Sequence, residues 1–299
     1  MIETAVIVLR LLQYASASIV MGSALFALYA LPPERSRGAL VYLLAGAAFV
    51  LAVSAALGLL AQTIVLAGSV EAGLDTGALR AVIGGMDLGK AAVVRSLAGA
   101  LALIALLAAR PGPGLSLAVG LLGTLAVVSF GWMGHAAAGE GAAASWHLAA
   151  DVIHALAAAT WLGALAAFVC VLADGIDLPT LHASLRRFSR IGVPLVGILV
   201  LSGLVNAWFL VGPDEPGGLA TTPYGQLLLA KLVLFAAMLV PAALHRNRHT
   251  PAIAAEIAGP TRDPAVTARL KRSVAAEAAL GLGVLAAVAW LGTLPPPAG

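Results

Sequence analysis

Apolar residues in this chain run in long blocks. They show neither the alternation of a half-buried strand nor the single stripe of a surface helix. Eight blocks stand out, at about 4–30, 40–68, 89–110, 114–134, 146–173, 188–212, 224–245 and 269–293. A helix rises 1.5 Å per residue, so about 20 apolar residues cross the roughly 30 Å hydrocarbon core of a bilayer. Every block reaches that length. Turn-forming residues separate them: Leu31-Pro32-Pro33, Arg110-Pro111-Gly112-Pro113-Gly114 and Gly212-Pro213-Asp214-Glu215-Pro216-Gly217-Gly218. Residues 69–88 are polar by local standards and predict a short interfacial segment, while 246–268 reads as the only sizeable soluble loop. The first block lacks a basic leader and is too long for a cleavable signal, so it is expected to be retained. The pattern predicts an all-α protein, a polytopic transmembrane helical bundle of eight spans in a single integral membrane domain over 1–299.

Composition narrows the class. Of 299 residues, 61% are hydrophobic and 10% are charged, against about 25% charged in soluble domains. That excludes an ordinary water-soluble enzyme, and the hydrophobicity excludes a disordered chain. Twelve of the 17 basic residues fall after the first, third, fifth and seventh blocks: Arg35, Arg37, Arg110, Arg186, Arg187, Arg190, Arg246, Arg248, Arg262, Arg269, Lys271 and Arg272. Loops rich in Lys and Arg stay cytoplasmic, which puts both termini outside. Membrane topology thus accounts for the positive charge, and no nucleic-acid partner is expected. Cys170, the single cysteine, excludes an intramolecular disulfide or a thiolate cluster. No phosphate loop, dinucleotide fingerprint, His-Glu-x-x-His or Gly-x-Ser-x-Gly is present, so no enzymatic activity and no catalytic residue is expected.

Against so apolar a background the remaining polar groups are conspicuous. His135 ends the fourth block, and His147, Asp151 and His154 open the fifth. In a helix those last three fall within a stripe of roughly 60°, which Trp161 continues. His135 comes from the antiparallel neighbour across a short loop containing Glu140, and Ser145 is placed to cap the fifth helix. His147 and His154 lie about 10 Å apart along the axis, too far for one ion held about 2 Å from each ring nitrogen. Two adjacent subsites, or a handoff inward, fit better. Met133 and Met86 lie near the same face as candidate soft ligands. Imidazole and carboxylate suit Cu(II) or Zn(II), and thioether favours Cu(I). The competing assignment is structural: histidines as interfacial anchors, and Asp151 in an Asp–His or Asp–Arg pair. A carboxylate at that depth must face protein, water or a partner.

Arg10, Arg95 and Lys231 also lie inside spans, in the same half as Asp151. Arg10 with Asp151 is one candidate pair, and Gln13 follows one turn along. Glu277 sits about two turns inside the eighth span from the opposite end. It reads either as part of a proton or cation path or as a partner of the arginines there. Asn206, beside Ser202 and Gly203, suits an interhelical hydrogen bond.

The second half of the chain resembles a known family. The residues that carry this are Arg187-Phe188-Ser189-Arg190, Ser202-Gly203 with Asn206-Ala207, Thr222-Pro223-Tyr224-Gly225-Gln226 with Lys231, His245-Arg246-Asn247-Arg248 with Pro251, and Glu277. Together they resemble the copper resistance D family (CopD/PcoD-like inner-membrane proteins) over a core of 187–285. The run from Gly134-His135 to Trp161-Leu162-Gly163 is similar too. The resemblance implies a copper ion, Cu(I) or Cu(II), taken at the periplasmic side of the bacterial inner membrane for transport across it. The lipid bilayer and a periplasmic CopC-like copper-binding protein are the implied partners. Relatives often carry His at the position of Gln13, and the position of Asp151 can be His in relatives. Other assignments stay open: a haem-binding electron-transfer protein, or a non-transporting copper-delivery factor for cytochrome oxidase. Oligomeric state is unassigned.

Overall fold

A computed structural model describes residues 2–32, 38–133, 141–212, 217–260 and 263–297. Eight of its helices are long and apolar enough to span a membrane. They are α1 (Ile2–Ala30), α2 (Ala39–Ala67), α3 (Asp87–Ala108), α4 (Pro113–Met133), α5 (Gly141–Ala173), α6 (Leu178–Val211), α7 (Pro223–Ala258) and α8 (Pro264–Leu291). The segment at 69–88 forms two short helices, Val70–Gly73 and Thr76–Gly85, the second capped by Asp75 Oδ2, which accepts from Gly77 N at 2.8 Å. With an even number of spans both termini share one face. The opposite face carries the arginine-rich connections.

Local chemistry sets the helix starts. Thr222 Oγ1 accepts from Gly225 N at 3.0 Å, and Pro223 opens α7, where a missing N–H costs nothing. Asp263 Oδ1 and Pro264 do the same for α8. Asp177 caps α6 at Leu178, ten residues before the apolar block begins. Those ten residues are amphipathic and stay helical because Leu181, Ser184 and Leu185 are buried. Two sequence expectations are corrected. Residues 246–258 are not loop: α7 passes through a π-helical turn at His245–His249 and continues to Ala258, with Ile253 fully buried. Ser145 does not cap α5, which already begins at Gly141.

At the centre, α1 packs against α2, α4, α5 and α8. It meets α5 at a glycine crossing inside a second π turn, Ile19–Ser23. A Cβ added to Gly22 would lie 2.8 Å from Gly163 Cα, so both backbones need glycine there. Ser23 Oγ donates to Gly163 O at 2.7 Å across the same crossing. By contrast, α6 and α7 are peripheral and mostly exposed on their apolar faces. The crossing thus fixes α5, the helix that carries the polar stripe, against α1 at the centre of the bundle.

Candidate metal and ion path

The stripe on α5 faces protein, and each of its members meets a different neighbour. His147 is buried and stacks on the Phe209 ring of α6, centroids 4.7 Å apart at 12°. One turn deeper, Asp151 Oδ1 accepts from Asn206 Nδ2 of α6 at 3.4 Å. Lys231 and Tyr224 of α7 lie within electrostatic reach of the same carboxylate. Lys231 is a nearby positive charge of the kind a carboxylate in a span requires, without a direct ion pair among the described residues.

His154 Nδ1 lies 3.0 Å from Ser202 Oγ, and that hydroxyl donates its only hydrogen to Ile198 O at 2.6 Å. With that hydrogen on Ile198 O, Ser202 is an acceptor for Nδ1–H, and in that tautomer Nε2 carries the lone pair. A metal-binding histidine is commonly set this way, with its second nitrogen held by a fixed acceptor.

Trp161 continues the stripe toward the arginine-rich face. Its Nε1–H donates to Glu277 Oε1 of α8 at 2.8 Å. The other oxygen, Oε2, lies 3.0 Å from His245 Nδ1 of α7, with the two side chains 0% and 2% exposed. His245 opens the π turn, and its ring lies 5.7 Å from that of His249. Glu277 thus pairs with histidine and tryptophan, and the alternative of an arginine partner is set aside. The importance of His245 was hidden in the sequence because it heads an arginine-rich run that reads as loop. The signal was available in the apolar Ile253 and Ile257 at helical spacing beyond it.

Other expected groupings do not form. Arg10 donates through Nη1 to the O of Gly292, just past the end of α8, so the Arg10–Asp151 pair is replaced by a backbone contact. Arg95, fully buried, donates from Nη1 to Gln13 Oε1 at 2.6 Å and from Nε to Ser129 Oγ at 3.1 Å, and it lies 4.2 Å from the Phe130 ring centroid. Gln13 is held in turn by Ser54 O at 3.0 Å. Met133 lines a cavity beside these arginines instead of the α5 stripe. Met86 is exposed at the N-terminus of α3. His135 and Glu140 lie outside the described residues. Among the described residues no three His, Cys, Asp or Glu side chains converge on one point. What the arrangement offers is a succession of one- and two-ligand stations.

Comparison with known proteins identifies the family. The family pattern "Copper resistance protein D" matches residues 182–291, and "Copper resistance protein D-like, N-terminal domain" matches 1–146. The chain is 36% identical to Copper resistance protein D of Pseudomonas syringae pv. tomato, covering 97% of this chain and 96% of that one. It is 33% identical to part of Copper transport protein CutJ of Bacillus subtilis, over 49% of this chain and 25% of that one. It is 34% identical to Inner membrane protein YebZ of Escherichia coli, over 42% and 43% of the two. No solved structure matches. With near full-length similarity to one relative and family patterns over both halves, the chain belongs to the copper resistance protein D family.

Proposed function

We propose that this protein takes copper ions at its terminus-bearing face, the periplasmic side of the bacterial inner membrane, and passes them across the bilayer. One observation carries the reading: a single face of α5 presents His147, Asp151, His154 and Trp161, and the last three meet hydrogen-bonding partners on α6 or α8. From His147 to Trp161 is 14 residues, or about 21 Å of the roughly 30 Å core. Glu277, His245 and His249 extend the line toward the arginine-rich face.

A cation arriving at Asp151 competes with Lys231 for the carboxylate, and His154 Nε2 offers the next donor inward. Sparse stations suit a cargo that must leave as well as enter. His135, from the neighbouring connection, would complete the entry site, with a CopC-like periplasmic protein as donor. The role is that of a carrier, not an enzyme.

Alanine at both His147 and His154 is expected to lower copper affinity of the purified protein and cellular copper accumulation at least 10-fold, the usual scale for disturbing a metal site. His182→Ala, on the arginine-rich side, should change neither. Unchanged binding and accumulation in the double variant would refute the site. Copper binding without flux in proteoliposomes would instead support a delivery role.

A further inference from the structure

Arg10 and Arg95 sit at equal depth, each about 12 Å along its helix from the terminus-bearing end. They are 8% and 0% exposed. Among the described residues neither forms an ion pair with a carboxylate. Their hydrogen-bond acceptors are neutral: Gly292 O for Arg10, and Gln13, Ser129 Oγ and Ser129 O for Arg95. Arg10 Nε is buried with no partner at all. Two unbalanced positive charges inside a span are costly unless something negative accompanies them.

Both arginines line one cavity of about 60 Å³ between α1, α2 and α3, together with Gln13, Gln62, Ala92 and Met133. At 10–15 Å³ for each water, that space holds roughly four to six water-sized particles. The amides of Gln13 and Gln62 can donate, and so can the unused N–H groups of both guanidiniums. The site is rich in donors and positively charged, and its water-accessible space suits a small ion.

We propose that this cavity binds a small monovalent inorganic anion of the halide class, held between Arg10 and Arg95. The anion supplies a counter-charge that the described residues around the two guanidiniums do not. Tyr14 lies within electrostatic reach of both arginines and of Asp151, so the anion site and the α5 stripe flank the same helix. The proposal does not depend on which cation the stripe handles.

The test uses the purified full-length protein in detergent, with chloride or bromide titrated against gluconate at constant ionic strength. The thermal midpoint is expected to rise saturably with chloride and with bromide, and not with the larger gluconate. Ala92→Leu fills the cavity while keeping both arginines and should abolish the chloride-dependent rise, as should Arg10→Gln. Should either variant fail to fold, bromide anomalous scattering from wild-type crystals decides the matter, with a peak expected between the two guanidiniums. Equal midpoints in chloride and gluconate, a chloride effect that survives Arg10→Gln, or a bromide-soaked crystal without that peak would each overturn the proposal.

Discussion

Glu277→Ala is expected to destabilise the protein by about 3–5 kcal/mol, the cost of breaking a buried pair by removing one partner. The change orphans the Trp161 Nε1 donor, takes away the carboxylate oxygen 3.0 Å from the buried His245 ring, and leaves a cavity. Glu277→Gln separates these contributions. Its amide oxygen still accepts from Trp161, while the amide nitrogen can donate to a neutral His245. About half of the stability should therefore return, by the ordinary worth of a retained buried hydrogen bond. Thermal unfolding of both variants in the same detergent measures the difference. If Glu277→Ala unfolds within 1 °C of wild type, Trp161 and His245 have found other partners and the pair is not structural. On the proposed path, which runs from α5 to the arginine-rich face through this carboxylate, copper flux in proteoliposomes should fall in both variants.

The second large effect is steric. Gly163→Val should remove most of the folded protein from the membrane fraction. The added atoms would meet backbone at the Gly22 crossing, where nothing flexible can yield. Overpacking usually costs about 1–3 kcal/mol, and a backbone clash belongs at or beyond the upper end. Gly46→Val, on α2, meets nothing within 4 Å and serves as the control. Equal yields of the two variants by fluorescence-detected size exclusion would show that α1 and α5 can separate without loss of the fold.

The helices were largely legible because a span writes its length directly into a run of apolar residues. All eight apolar blocks correspond to helices. The departures fall at the arginine-rich face, where α6 starts early and α7 ends late. There polar residues cover one side of a helix that is still packed on the other, and hydropathy alone cannot separate that from a loop. The α5 stripe was legible for the same reason, since spacing within one helix fixes which residues share a face. Partners across helices were not. Arg10 and Asp151 lie at matching depth, which made them a plausible pair. Depth does not give the rotation of one helix against the next, and here Arg10 turns to Gly292 O while Asp151 meets Asn206. Asn206 was expected to bond between helices, and its partner proved to be Asp151.

The π turn at His245–His249 holds one residue more than an α ladder needs. Each residue advances a helix by about 100°, so this single insertion sets the phase of everything after it. Removing one residue from the turn would swing Ile253 out of its pocket and carry Arg246 and His249 to a new side of the helix. The arginine-rich end of α7 is thus keyed to the membrane interior like a shaft with one offset tooth. Drift in the length of this turn among related chains should track which face their basic residues present.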